Sequence, residues 1–205
     1  SATIANPGEL AAALTGEDVA LVDDNGAAAG ERVVVIYNPP VVNRELGIRQ
    51  SSLRASREIA ARLIRSGVQT IVFAPSRVRV ELLLTYLRDA LRDKPGDPER
   101  VTGYRGGYLP NERRAIERGL RDGSVRGVVA TNALELGIDI GGMGASVVTG
   151  YPGSLASLWQ QFGRAGRRQE TSLSGLVASS NPLDQYVATH PDFASDQPIK
   201  RALIN

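Results

Sequence analysis

Ala130-Thr131-Asn132-Ala133-Leu134-Glu135-Leu136-Gly137-Ile138-Asp139-Ile140-Gly141 is the stretch on which the fold turns. It continues the short apolar run Arg126 to Ala130 and reads as a strand ending on Thr131, whose hydroxyl and neighbouring amides can bind a phosphate. Gly137 permits positive φ or a close backbone approach. Asp139 puts a carboxylate where a ribose hydroxyl could donate to it. The same residues also fit a strand followed by a capped helix, with Asp139 as an ordinary turn residue. Alone, the stretch does not separate the two readings.

Outward from it, strands and helices alternate. Val33 to Tyr37 is a β-branched run stopped by Asn38-Pro39-Pro40, and Thr70 to Phe73, Arg100 to Tyr104, Ala145 to Thr149 and Leu173 to Ser179 read as further strands. Between them, helical periodicity covers Ser52 to Ser66, Pro75 to Leu91, Pro110 to Asp122 and a segment starting at Ser154. Residues 1–30 read as a connector with a short helix from Glu9 to Leu14 and a possible strand Val19 to Val22. Asp184 to Thr189 reads as a last helical turn, and Pro191 onward as tail. Short apolar strands separated by helices predict an α/β fold whose mainly parallel central sheet is covered on both faces. Ligands of such folds bind beyond the carboxyl ends of the strands. The segments there are Ala74 to Arg77, Arg105-Gly106-Gly107, Thr131 to Gly141 and the loop after Thr149.

A second stretch concentrates positive charge. Gln160-Gln161-Phe162-Gly163-Arg164-Ala165-Gly166-Arg167-Arg168 holds three arginines and two glycines, with no carboxylate before Glu170. Guanidinium is a planar, permanently charged fork suited to phosphate, although an arginine-rich helix end would also satisfy the helix dipole. Net charge is only +2, so any polyanion site must be local rather than a property of the whole surface. The absence of cysteine excludes a disulfide framework and thiolate metal sites, and fits a cytoplasmic setting. His190 is the only histidine, which excludes a multi-histidine metal site. No apolar run approaches the ~20 residues of a membrane span. The chain begins Ser1-Ala2-Thr3, without a signal sequence or starting Met, and reads as part of a longer protein.

Taken together, these stretches resemble the C-terminal RecA-like lobe of superfamily-2 helicases, a three-layer α/β/α domain. Residues 130–141 look like that family's motif V, and Gln160 to Arg167 match Gln-x-x-Gly-Arg-x-Gly-Arg of motif VI. Ile71 to Arg77 resembles motif IV, Tyr104 to Arg114 the segment called IVa, and Ser1-Ala2-Thr3 the motif III that closes the first lobe. Asn132 to Gly141, Gly150-Tyr151-Pro152-Gly153, Trp159-Gln160-Gln161 and Pro182-Leu183-Asp184-Gln185-Tyr186 look like the bacterial YprA/MrfA-type DNA repair helicases. Members of that subgroup act as 3′-to-5′ translocases and carry a cysteine-containing zinc region after this lobe.

The resemblance implies domain bounds of 1–30 for the inter-lobe connector, 31–190 for the second RecA-like domain and 191–205 for a tail. It implies that Arg167 is the arginine finger on the γ-phosphate, with Arg164 as phosphate contact or sensor. Gln160, Gly137 and Asp139 would contact nucleotide or the neighbouring lobe. Ser76, Arg77, Arg105, Gly106, Thr131 and Asn132 would hold the backbone of single-stranded DNA, with RNA the alternative partner. ATP and Mg2+ would bind mainly to the first lobe, because no Gly-x-x-x-x-Gly-Lys-Ser/Thr loop or Asp-Glu-x-His box occurs in this chain. A catalytically silent lobe used for protein binding or regulation is the alternative outside that class.

Overall fold

The computed structural model describes residues 6–22, 30–93, 98–136, 138, 140–166 and 170–196. Eight strands occur among them: β1 (Arg32–Tyr37), β2 (Val41–Asn43), β3 (Ile48–Arg49), β4 (Thr70–Phe73), β5 (Val101–Tyr104), β6 (Gly127–Ala130), β7 (Ala145–Thr149) and β8 (Ser172–Val177). The helices are α1 (Pro7–Thr15), α2 (Ser52–Arg65), α3 (Arg77–Ala90), α4 (Pro110–Asp122), α5 (Leu155–Phe162), α6 (Pro182–Thr189) and α7 (Asp192–Asp196). Six strands form one sheet in the order β1-β8-β7-β4-β6-β5, and every pairing in it is parallel.

Alternation along the strands explains the layers. In β4, Val72 faces a core built with α2 and α3, while Ile71 and Phe73 face a second core with Leu120, Leu158 and Phe162. Both faces are thus covered, as the apolar, non-alternating strands require. Helix starts follow the local chemistry. Ser76 caps α3 by accepting from the Arg79 amide at 3.3 Å, Ser154 caps α5 by accepting from the Ser157 amide at 3.2 Å, and Asn181 caps α6. The chain leaves β4 for β5 and β6 on one side, then crosses to β7 and β8 on the other. The carboxyl ends of β4, β6 and β7 therefore meet at a switch in strand order, where a cleft is expected.

Three local expectations are corrected. Residues 19–22 form no strand: Val22 is 88% exposed, and Leu21 lies instead near Gly8 of α1. A four-residue apolar run without a ladder partner has nothing to satisfy its backbone as a strand. The Asn38-Pro39-Pro40 stop is followed by a small antiparallel pair, β2 with β3. Beyond Pro191 the chain makes another helical turn, α7, because Trp159 Nε1 donates to the Ala194 carbonyl at 3.0 Å and Phe193 packs edge-on against Tyr151 and Tyr186. The expected motif III, Ser1-Ala2-Thr3, lies outside the described residues.

On one edge, β1 pairs only with β8, and Val33, Val34 and Val35 remain 41%, 41% and 43% exposed. Among the described residues no helix is long and apolar enough to cross a membrane.

Candidate nucleic-acid and nucleotide interface

A cleft of about 470 Å³ opens at the carboxyl ends of β4, β6 and β7, and its lining includes Ser76, Arg77, Gly106, Thr131 and Asn132. Segments more than fifty residues apart in sequence are brought together here by the parallel register, which sets Phe73 beside both Ala130 and Val148. Thr131 follows β6 and its Oγ1 accepts from the Ala133 amide at 3.4 Å, capping the short 3₁₀ turn Asn132–Leu134. That bond uses an acceptor position only, so the hydroxyl proton is left to donate to a phosphate oxygen. Ser76 and Arg77 stand exposed at the start of α3, where the helix dipole adds favourable potential for an anion. Gly106 lies beside Arg77: a Cβ there would stand 3.4 Å from Arg77 Nη2, so the guanidinium lies against the turn after β5. The cleft continues past Gly150 and Tyr151 into a polar region of about 620 Å³ that includes Ser52, Arg79 and Asn181.

Arg105 is placed differently from the other expected contacts. Its Nε donates to Glu81 Oε1 at 2.6 Å and its guanidinium lies 4.9 Å from the Tyr108 ring centroid. The hydrogen bond to Glu81 raises the guanidinium pKa. Its charge is thus largely answered within the lobe, and it does not line the cleft with Arg77.

The arginine stretch begins on α5, which leads away from this cleft. Leu158 and Phe162 are fully buried against the sheet, and Trp159 meets Phe162 edge-on with centroids 5.8 Å apart. The next turn is held to the start of β7: the Met143 amide donates to the Arg164 carbonyl at 3.4 Å, and the Gly166 amide donates to the Met143 carbonyl at 3.1 Å. Gly166 has φ +93, and a Cβ on it would fall 2.7 Å from Ser172 Oγ, so this turn requires glycine on both counts. Gly166 also lines a second cleft, about 490 Å³, at the amino ends of β4, β7 and β8. The two clefts therefore sit at opposite ends of the sheet.

The structure gives Arg164 a task other than the expected phosphate contact. It is only 6% exposed; its Nε and Nη2 donate to the Glu135 carbonyl at 3.1 and 2.6 Å, and its Nη1 donates to the Ile138 carbonyl at 2.8 Å. It fastens the segment after β6 to the end of α5. Gln160 is half-buried on α5. Arg167, Gly137 and Asp139 lie outside the described residues.

Three residues that the sequence reading did not single out belong to the same joint. Ser157 Oγ donates to Glu135 Oε2 at 2.6 Å, and Gln161 Nε2 donates to the same oxygen at 2.9 Å and to Ser157 Oγ at 3.1 Å. Ser157 and Gln161 follow i, i+4 spacing and share one side of α5, and Arg164 comes two residues after the helix ends at Phe162. That periodic polar stripe, beside the apolar pair Leu158 and Phe162, was the available signal. Among the described residues no cluster of His, Asp or Glu is arranged to hold a metal ion, so no step is derived through a metal on this lobe.

Comparison with known proteins agrees with this arrangement. Residues 51–169 match the helicase conserved C-terminal domain. The chain is 54% identical over its full length to the uncharacterized ATP-dependent helicase YprA of Bacillus subtilis, covering 27% of that protein. It is 40% identical to the ATP-dependent helicase HRQ1 of Saccharomyces cerevisiae over 94% of its own length and 18% of that protein. The helicase MrfA, solved bound to DNA and AMPPNP, superposes with a TM-score of 0.94 at 54% identity, over 100% of this chain and 28% of MrfA. The chain thus spans about a quarter or less of the length of these relatives. By its matched residues, its sheet and its motif order, the chain belongs to the helicase conserved C-terminal domain family.

Proposed function

We propose that this chain is the second motor lobe of an ATP-dependent DNA helicase or translocase, of 3′-to-5′ polarity and acting in cytoplasmic DNA repair. The observation that carries the reading is the cleft that gathers Ser76, Arg77, Gly106, Thr131 and Asn132 at one end of the sheet, with the arginine turn at the other. A single strand lies along the first cleft, its phosphates taking the Thr131 hydroxyl, the α3 amino end and Arg77. Such contacts follow the sugar-phosphate backbone and are sequence-tolerant and salt-sensitive. DNA is favoured over RNA because MrfA, the structure of 54% identity, is bound to DNA.

ATP is contributed to by both lobes in this reading. The first lobe supplies the phosphate loop and Mg2+ site; this lobe supplies Arg167, next in sequence to Gly166, with Gly137, Asp139 and Gln160 at the nucleotide or lobe interface. Arg164 acts one step back, by fixing the Glu135 and Ile138 carbonyls. The domain bounds go with the reading: 1–30 as connector from the first lobe, 31–190 as motor lobe and 191–205 as tail.

Arg167→Ala in the full-length protein tests it. Hydrolysis is expected to fall by about 10³–10⁵, the usual weight of an arginine finger, while binding of a fluorescent single strand is largely kept. Loss of strand affinity with hydrolysis intact would reverse the assignment of Arg167.

A further inference from the structure

We propose that Glu135 is the positioning residue through which strand engagement at the carboxyl-end cleft sets the arginine turn at the far end of α5. The inference rests on the motor-lobe reading and names the joint inside it.

Glu135 directly follows the Asn132–Leu134 turn, and its amide donates to the Asn132 carbonyl at 2.9 Å. A displacement of Thr131 and Asn132 by a bound strand is therefore delivered to Glu135 within one turn of chain. From the other side, Glu135 is held at two points, by one face of α5 and by the turn that follows it. Its carboxylate takes Ser157 Oγ and Gln161 Nε2, both on Oε2, and its carbonyl takes the Arg164 guanidinium. Ser157 and Gln161 themselves line the strand cleft. By the helical rise, Ser157 to Phe162 covers about 8 Å, and four residues later comes Gly166, which precedes Arg167.

The chemistry of the joint suits a part that exchanges partners. The other side of α5 is locked by close-packed Leu158 and Phe162, whereas the side facing Glu135 is polar. Gln161 is 4% exposed, and its amide orientation is fixed because a carboxylate can only accept. Its Oε1 consequently points elsewhere and has no hydrogen-bond partner among the described residues. A buried acceptor left open is unfavourable, and a rearrangement of the 131–136 segment can satisfy it.

The test uses full-length protein carrying Glu135→Ala, Glu135→Gln or Ser157→Ala, with steady-state ATP hydrolysis measured against the concentration of an oligo-dT strand. For Glu135→Ala the maximal strand-stimulated rate should fall at least about tenfold while the half-saturating strand concentration stays within about twofold. Glu135→Gln, whose amide oxygen can take both donors at the Oε2 position, should keep more than about half of the wild-type stimulation. Ser157→Ala, which keeps the Gln161 and Arg164 bonds, should fall between them and carries the test if Glu135→Ala does not fold. Wild-type stimulation in both Glu135→Ala and Ser157→Ala would overturn the inference, as would a rise in half-saturating concentration without a fall in maximal rate. If Arg167→Ala behaves as expected while these variants match wild type, the inference alone fails. If the wild-type protein shows no strand-stimulated hydrolysis, the motor-lobe reading fails with it.

Discussion

Tyr104 closes β5 with its ring 1% exposed and its hydroxyl donating to Glu117 Oε1 at 2.8 Å. Burial, reinforced by the Glu117 carboxylate, pushes its pKa from the ordinary 10.0 up to about 12. The folded protein therefore holds the phenol proton more tightly than the unfolded chain. The resulting stabilisation is complete below pH 10 and is lost as pH rises through about 12. Tyr104→Phe should lower stability by about 1.5–3 kcal/mol near neutrality, the worth of a hydrogen bond to a charged group. The gap between variant and wild type should narrow between pH 10 and 12, which urea midpoints taken across that range will show. Thr131, Asn132, Ser76, Arg77 and Gly106 line one cleft, and what marked them in the sequence was their place after strands together with the family resemblance. The different placement of Arg105 was not legible, because its partner Glu81 lies on α3, and nothing local in the sequence announces that pairing.

At the scale of elements, α5 does two jobs on two sides. Phe162 is fully buried in the core, and Phe162→Ala should cost about 3–5 kcal/mol through lost transfer energy and the cavity left behind. Ser157→Ala, on the polar side, should cost less, about 1.5–3 kcal/mol, for the loss of its bond to the Glu135 carboxylate and of the weaker one from Gln161. Urea unfolding of the two variants side by side measures that asymmetry. The strands and helices that build the sheet were legible because apolar runs, Pro at helix starts and Gly after helix ends are local signals. Three pieces were not. Val19 to Val22 has strand composition but no ladder to join, β2 and β3 depend on each other, and α7 exists because Trp159 and Phe193 find partners in the folded chain. In each case tertiary contact decides, and single-sequence patterning does not carry it.

On the motor-lobe reading proposed above, the whole molecule supplies one side of an ATP site. Its two clefts lie at opposite ends of one sheet, and no phosphate-binding loop occurs in the 205 residues. Residues 1–205 in isolation are expected to hydrolyse ATP at no measurable rate, with or without single-stranded DNA; robust DNA-stimulated hydrolysis by the purified chain would refute the division of labour. Fold class was legible at this scale because continuous apolar strands alternating with helices leave few topologies open. The strand order was not, since it follows from which helices cover which face.

That order has a consequence for how the lobe is made. β1, the first strand of the large sheet, pairs with β8, the last, and among the described residues with no other strand. On a ribosome the Val33–Val35 run emerges early and must wait until Ser172–Val177 has been synthesised before its backbone finds a ladder. The β-branched edge is thus the segment longest at risk of pairing with a neighbouring nascent chain. Completion of the sheet waits on the arrival of Ser172–Val177, about 140 residues after β1.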